Sequence, residues 1–192
     1  MSFFPANAIT DFLPASRSVD RSKRDEAVEA EVLSLFDQLR PRLLRYTLSF
    51  SLSVQDSEDV VQEAFLALFR HLHAAGSRTN LQAWLYRVTH NLALKRRMAN
   101  QRIDCTADVD VTVIERTEDP NLSPEQQLLF QDRQAGLMAI VRALPEQDER
   151  CLRLRAEGLK YREIADVLGI SLGGVSVSLN RSLDRLRRGD RG

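Results

Sequence analysis

The sequence predicts an all-α protein in which two small helical bundles are joined by a flexible acidic linker. Three observations support this fold class. Apolar residues recur at steps of three and four through most of the 192 residues, as they do on the buried face of a helix. This spacing is lost over residues 103–122, where acidic and β-branched residues predominate. Capping residues at 123–126 then indicate the start of a further helix.

The first bundle is predicted over residues 29–102. Residues 1–28, which are polar and mixed in character, are expected to form a mobile N-terminal extension. The first helix of the bundle covers residues 32–50, with its apolar positions on one face. Pro41 lies inside this helix and predicts a kink or a break, because proline lacks the N–H that the helix needs.

Two more helices are predicted in the first bundle. One begins with Asp56 as its N-cap and carries an apolar stripe from Val60 to Leu72. The other covers residues 81–98, where Trp84 is expected to pack in the core with neighbouring leucines rather than to stack on a base. The segment between them, residues 73–80, has the small and polar residues of a loop.

The second bundle is predicted over residues 123–192, after the linker of residues 103–122. A short strand around Val109–Ile114 is an alternative for part of that linker. Ser123 is the predicted N-cap of the next helix, which ends at the Leu144–Pro145 pair. A further short helix and a helix-turn-helix complete the bundle.

The net charge is zero, but charge is unevenly distributed along the chain. Residues 1–80 carry a net of −2, residues 81–103 a net of +5, residues 104–150 a net of −7 and residues 151–192 a net of +4. Binding follows the local field rather than the total charge. Two basic segments separated by an acidic one therefore indicate two contacts with one polyanion.

The remaining bulk features indicate a soluble cytoplasmic protein. Hydrophobic residues make up 43% of the chain and charged residues 28%, as in ordinary globular domains. Cys105 and Cys151 lie far apart, without the spacing of a disulfide framework or a zinc site. Proline and polar residues interrupt the apolar positions at the N-terminus, so neither a signal peptide nor membrane insertion is expected.

The segment "GLKYREIADVLGISLGGVSVSLNRSLDRLRR", Gly158–Arg188, has helix-turn-helix spacing. Gly169 supplies the turn, and Ser171 is the predicted cap of the second helix. The inward positions of that helix are predicted to be Val175, Leu179, Leu183 and Leu186. The motif, Tyr161 to Arg181, therefore indicates DNA binding, although the same spacing occurs in plain αα-hairpins.

The expected DNA contacts of this motif are of two kinds. Uncharged residues on the outward face of the second helix could contact base edges, and arginines around it could hold backbone phosphates. The residues of this motif that are expected to contact DNA are Arg162, Ser171, Gly174, Ser176, Val177, Ser178, Asn180, Arg181 and Arg185. Because the central "GGVSVSLN" carries no charge, the motif alone is expected to bind DNA weakly.

An enzyme is not indicated by the sequence. His71 and His73 point apart on one predicted helix, and His90 is isolated. No paired carboxylates, glycine-rich phosphate loop, metal-ligand cluster or cofactor motif occurs.

The chain resembles a bacterial sigma factor of the extracytoplasmic-function group. The resemblance rests on "DSEDVVQEAFLALFRHL", then "NLQAWLYRVTHNLALKRR", then "LSPEQQ" followed by the helix-turn-helix, in this order and spacing. It covers roughly residues 30–188. It implies that the first bundle is sigma region 2 and the second is sigma region 4, with the linker running through the RNA exit channel of RNA polymerase.

The resemblance implies partners and roles for particular residues. Region 2 would dock on a coiled coil of the polymerase β′ subunit, with Asp59, Gln62, Glu63 and Leu66 in contact. It would also open the −10 promoter element, capturing a flipped base in the loop around Gly76–Asn80. The residues expected on the −10 strand are Asn80, Arg87, His90, Asn91, Lys95, Arg96 and Arg97. Region 4 would read the −35 element and touch the β flap, and such proteins commonly have an anti-sigma partner.

The sequence departs from the family pattern in its reading helix. Compared with the usual G-T-V-K-S-R-L pattern, the segment that ends at Leu179 has lost two cations, although Arg181 is kept. Lys95 stands where the family usually has an acid. Two alternatives therefore stay open: a free-standing helix-turn-helix regulator, and a sigma-like decoy that docks on polymerase without reading promoters.

Overall fold

The computed structural model describes residues 15–103 and 135–189, and every regular element within them is a helix. The first bundle contains α1 (Ala15–Leu48), α2 (Val54–His73) and α3 (Leu81–Ile103). The second contains the helical residues 135–142, called α4, then α5 (Glu146–Ala156), α6 (Tyr161–Leu168) and α7 (Leu172–Gly189). The all-α prediction is confirmed.

Some predicted features lie outside the described residues. These are the acidic linker with its alternative strand at Val109–Ile114 and the Ser123 cap. Among the described helices, none has both the length and the apolar character that crossing a membrane requires.

Helix α1 begins earlier than the sequence predicts. We expected residues 1–28 to form a mobile extension, but α1 starts at Ala15. Val28 is fully buried in the core. In addition, Glu31 pairs with Arg78 at 3.4 Å, which ties this part of α1 to the loop after α2. These tertiary contacts could not be inferred from the polar composition of the segment.

Two local predictions at helix positions are corrected by the structure. The N-cap of α2 is Ser53, whose hydroxyl accepts from the backbone N–H of Asp56 at 3.0 Å. Asp56 itself lies in the first turn, where negative charge is favoured by the helix dipole. Helix α1 also continues through Pro41 without a break, with the proline exposed to solvent.

The core of the first bundle is built from the apolar faces of its three helices. Phe36 of α1 meets Phe65 of α2 edge to face, with 4.9 Å between ring centroids. Tyr46 and Tyr86 make a similar contact at 5.5 Å between α1 and α3. The predicted apolar face of α2 is buried at Val60, Val61, Ala64, Phe65, Leu68 and Leu72, while Phe69 is partly buried. Trp84 is partly buried against this core, which confirms its predicted place.

Helices α6 and α7 form the predicted helix-turn-helix. Gly169 ends α6 in the left-handed conformation, with φ 66°. The backbone N–H of Ile170 then donates to the carbonyl of Ala165 at 3.1 Å, which closes the turn. The Ser171 hydroxyl accepts from the N–H of Gly174 at 3.1 Å, so the predicted cap of α7 is confirmed.

The two bundles pack against each other around Glu157, which follows α5. The Glu157 carboxylate accepts from Arg42 of α1 at 2.5 Å. Its backbone carbonyl accepts from the same arginine at 2.6 Å and from Gln82 of α3 at 3.0 Å. Nearby, the Asn80 amide donates to Glu163 of α6 at 2.7 Å, and Arg97 pairs with Glu146. One hydrophobic core runs through both bundles.

Candidate functional site

An exposed acidic stripe lies on α2, made of Asp59, Gln62, Glu63 and Leu66. Their three- and four-residue spacing places them together on one face, as predicted. Leu66 is 48% exposed and is the apolar member of this set. We call this set the α2 stripe.

A groove lies beside the α2 stripe, between α1 and α2. Its lining includes Phe36 and Leu44 from α1 and Val61 and Gln62 from α2. Apolar walls rimmed by polar side chains are typical of a protein-binding surface. The groove therefore extends the α2 stripe into a surface that could receive a helical partner.

A second exposed stripe lies on α3. Arg87, Asn91 and Lys95 recur at four-residue steps, and all three are exposed. Their spacing gives one polar, basic edge along the helix. These three of the expected −10 residues are placed where a nucleic-acid strand could reach them.

Arg96 and Arg97 are partly withdrawn from this surface. Arg96 pairs with Asp56 at 3.3 Å and with Asp59 of the α2 stripe at 3.6 Å. Arg97 pairs with Glu146 of α5 in the other bundle. Each guanidinium would have to leave or share its carboxylate before it could hold a phosphate.

His90 is not a surface residue, and its expected role on the −10 strand is wrong. It is 4% exposed, and its Nδ1 lies 2.9 Å from the hydroxyl of Tyr46. Burial, helped by the charge of Arg150, lowers the pKa of His90 to about 4. At neutral pH the ring is therefore uncharged, and its Nδ1 shares a hydrogen bond with the Tyr46 hydroxyl. Helical periodicity alone does not show which of the consecutive residues His90 and Asn91 turns towards Tyr46.

Because of this histidine, stability is expected to depend on pH. The folded pKa of about 4 lies below the ordinary 6.5, so the unfolded chain binds more protons between these values. The stabilisation is complete above 6.5 and is lost as the pH falls towards 4. We expect the free energy of unfolding to fall by about 2 kcal/mol between about pH 7.5 and pH 5.

Urea denaturation at both pH values would measure this loss. His90→Gln keeps an acceptor for Tyr46 but does not titrate, so it should flatten the dependence. If the free energy of unfolding of His90→Gln falls by the same amount, other titrating groups cause the pH dependence.

The loop between α2 and α3 is held by His71, a residue that the sequence reasoning assigned no role. Its Nε2 lies 2.9 Å from the carbonyl oxygen of Ser77, and its ring stacks on Trp84 with 4.8 Å between centroids. A Cβ on Gly76 would lie only 2.3 Å from this ring, so a side chain there would displace His71 from its present position. Asn80 caps α3, since its side-chain oxygen accepts from the N–H of Ala83 at 3.4 Å. The expected base-capturing loop thus has a defined shape.

The outward face of α7 carries the uncharged residues Ser176, Val177 and Asn180 of the predicted −35 set. Val177 is 60% exposed, Asn180 is exposed and Ser176 is half-buried. Arg162 and Arg185 flank the helix-turn-helix and are exposed, and Arg185 also lies 3.4 Å from the carbonyl of Ala143. Ser171 and Gly174 are engaged in the α7 cap described above.

Ser178 is a correction, because it is fully buried rather than outward-facing. Its hydroxyl accepts from Gln147 of α5 at 3.2 Å. Ser182, one turn further, is also buried and donates to the carbonyl of Ser178 at 2.8 Å. These two small residues let α5 lie close to α7. The structure also corrects the position of Leu183, which was predicted to be inward but is 40% exposed.

Arg181 makes an internal ion pair that the sequence did not reveal. Its Nε and a terminal nitrogen donate to the two carboxylate oxygens of Asp148, at 2.6 and 2.7 Å. The Asp148 side chain is fully buried, while that of Arg181 is half-exposed. The hydrogen bond and the charge of Asp148 raise the pKa of Arg181. Helix α7 is therefore fastened to α5 by Arg181, one of the three arginines expected on the −35 element.

Arg181→Ala is expected to destabilise the second bundle more than Asp148→Asn does. Removing the arginine leaves a buried carboxylate unpaired, whereas removing the charge of Asp148 leaves an arginine that water can reach. We expect the melting temperature of Arg181→Ala to fall by roughly 5–10 °C. Transcription that depends on the −35 element should also weaken in Arg181→Ala and should persist in Asp148→Asn. Calorimetry and run-off transcription on both variants would check this, and equal melting temperatures would contradict it.

Two protein-family descriptions match this chain. "Sigma-70 region 2" matches residues 35–103, and "Sigma-70, region 4" matches residues 134–186. Together they include the α2 stripe, the α3 stripe and the helix-turn-helix.

The chain is similar to several curated sigma factors. It is 32% identical over 177 residues to the ECF RNA polymerase sigma factor SigE of Mycolicibacterium smegmatis, covering 91% of this chain and 67% of that protein. It is 28% identical to the RNA polymerase sigma-H factor of Pseudomonas aeruginosa, covering 88% and 89%. It is 29% identical to the ECF RNA polymerase sigma-E factor of Escherichia coli K12, covering 68% and 72%.

Two solved structures share the fold. RpoE of Bartonella quintana, in complex with the anti-sigma factor NepR, has a TM-score of 0.60 at 19% identity, with 83% of this chain and 96% of that chain covered. CnrH, in complex with the cytosolic domain of CnrY, has a TM-score of 0.56 at 19% identity, with 88% and 94% covered.

Proposed function

Since the chain belongs to the sigma-70 family of RNA polymerase sigma factors, in its extracytoplasmic-function group, we propose that it carries core polymerase to a promoter through two separate surfaces. The observation that carries this proposal is the presence of an exposed acidic stripe on α2 and a helix-turn-helix with an outward, uncharged face on one chain. The activity is that of a binding subunit in the bacterial cytoplasm, without a catalytic residue or cofactor of its own.

For polymerase docking we propose the α2 stripe, Asp59, Gln62, Glu63 and Leu66, together with the adjoining groove. Acidic side chains around an exposed leucine favour a helical partner that is basic at its rim and apolar at its centre. The β′ coiled coil is the partner that the family assignment suggests, and the β flap is the corresponding partner for the second bundle.

For the −10 element we propose the α3 stripe of Arg87, Asn91 and Lys95, and the loop that ends at Asn80. The exposed cations would hold the strand backbone. Extruding a base costs a few kcal/mol, which a preformed loop can offset. Arg96 and Arg97 would join after release from their carboxylate partners.

For the −35 element we propose the outward face of α7, with Arg162 and Arg185 on phosphates. Electrostatic attraction supplies much of the affinity in protein–DNA complexes, and this face has little positive charge. The isolated chain should therefore bind promoter DNA weakly, and polymerase should supply most of the affinity.

We also propose an anti-sigma partner. RpoE and CnrH, which share this fold, were solved in complexes with NepR and CnrY. An inhibitor that covers the α2 stripe would compete with polymerase for the same surface.

Run-off transcription with purified bacterial core polymerase tests the proposed function. Genomic fragments from the source organism serve as templates, with and without this chain. We expect discrete transcripts that require it. A free-standing regulator would instead bind duplex DNA tightly without polymerase, and a decoy would bind polymerase without yielding transcripts. Either result would overturn the proposal.

A further inference from the structure

We propose that three residues on the outward face of α7, Gly173, Val177 and Asn180, form a close-contact surface that selects A·T base pairs. We call this set the α7 stripe. The inference rests on the proposed function of the second bundle as a promoter-reading module and specifies its target chemistry.

The three residues share one side of the helix. Steps of four and three residues bring Gly173, Val177 and Asn180 into line, opposite the buried Val175 and Leu179. All three are exposed, and Val177 is 60% exposed. A second helix of a helix-turn-helix presents such a face to the major groove.

Nothing in the described part of the protein requires a glycine at position 173. It lies in the first turn of α7, where alanine is also a better helix former than glycine, and a Cβ built on it would meet nothing within 4 Å. Gly174 differs, because its Cβ would lie 3.3 Å from the capping hydroxyl of Ser171. A glycine that the protein does not need for its own packing is explained if another surface must approach the backbone closely. Duplex DNA is that surface under the proposed function.

Val177 and Asn180 supply the chemistry of the contact. In the major groove thymine presents a methyl group, which an aliphatic side chain can cover. Adenine presents N7 and an amino group, which one asparagine amide can bind together. Three helix residues span roughly 4.5 Å along the axis, close to the roughly 3.4 Å between stacked bases. The two side chains therefore suit neighbouring A·T pairs.

The same geometry argues against selection of guanine. Arginine is the side chain that most often recognises guanine, by bidentate bonds to O6 and N7. The arginine nearest the α7 stripe along the helix, Arg181, already makes its bidentate pair with Asp148. The exposed Arg162 and Arg185 lie outside the stripe, where they would supply phosphate contacts.

Base analogues test the inference one atom group at a time. The holoenzyme first selects promoters from a random-sequence duplex library, which locates the −35 element. Each thymine there is then replaced by deoxyuridine, which lacks the methyl, and each adenine by 7-deazaadenine, which lacks N7. We expect one thymine methyl to be worth about fourfold in holoenzyme affinity, and one adenine N7 at least about fivefold.

The variants link each analogue to one residue. Val177→Ala should abolish sensitivity to deoxyuridine, and Asn180→Ala sensitivity to 7-deazaadenine, as coupled pairs do in a double-mutant cycle. Leu183→Ala removes an apolar side chain that is 40% exposed and lies outside the α7 stripe, and it should change neither sensitivity. The inference would be overturned if the effects of each variant and its base analogue on affinity were fully additive. It would also be overturned if binding depended on the N7 of a guanine and not on that of an adenine.

Gly173→Ala separates a structural from a recognition role. We expect its melting temperature to rise by roughly 3–5 °C while promoter affinity falls about tenfold. Unchanged affinity would overturn the inference. Failure of the proposed function looks different, since the holoenzyme would then select no −35 element at all.

Discussion

Replacing Glu157 with lysine is expected to separate the two helical bundles. Glu157 is 16% exposed and lies against Arg42 at 2.5 Å and Arg45 at 3.9 Å. Its hydrogen bond raises the pKa of Arg42, so the carboxylate favours the charged guanidinium. Lysine would place a third positive charge there and remove the acceptor. Breaking a partly buried pair of this kind costs about 2 kcal/mol or more.

Small-angle X-ray scattering would measure the separation. A compact chain of this length has a radius of gyration of roughly 16 Å, and the variant should exceed the wild-type value clearly. Glu149→Lys is the matched control, because Glu149 lies on α5, the helix that Glu157 follows, is equally exposed at 16% and pairs with Arg153 within the second bundle. An unchanged radius in Glu157→Lys would show that Glu157 does not hold the bundles together.

Separation also bears on promoter opening. Asn80 and Arg97, which we propose for the −10 strand, are bonded across the interface to Glu163 and Glu146. Opening would release both side chains. The Glu157→Lys chain should therefore bind a single-stranded −10 oligonucleotide, in the presence of core polymerase, at least as tightly as the wild type does.

Glu63→Lys is expected to abolish capture of core polymerase. Glu63 is exposed on α2, within the α2 stripe, so the change should leave the fold intact. A like charge set against a basic partner costs several kcal/mol, which corresponds to a loss of affinity of about 100-fold or more. Co-purification of core polymerase with the tagged chain would measure the loss.

The control for Glu63→Lys is the same charge change elsewhere. Glu29→Lys alters another exposed acid, on α1 and outside the α2 stripe. It should capture polymerase normally, and thermal melting should be unchanged in both variants. Normal capture of polymerase by Glu63→Lys would show that Glu63 does not take part in docking. If Glu63→Lys melts at a lower temperature than the wild type, Glu63→Gln is the milder replacement, and we expect it to lose part of the capture.

Local sequence patterns predicted much of the fold and part of the candidate site. Helical periodicity identified the buried face of α2 and, on its other side, the exposed Glu63 and Leu66. The glycine at 169 identified the turn of the helix-turn-helix, because few other residues adopt its left-handed conformation. These features depend only on residues a few positions apart in the chain, so they can be predicted from the sequence.

What the sequence by itself determined is the helical class, the α2 stripe and the helix-turn-helix. The tertiary structure alone decided that His90 and Ser178 are buried and that Arg181 is fastened to Asp148. Each of these outcomes depends on a helix more than 30 residues away in the chain. Periodicity assigns a residue to one side of a helix, but which neighbouring element covers that side is a property of packing, and packing fixes the charge and accessibility of the side chain.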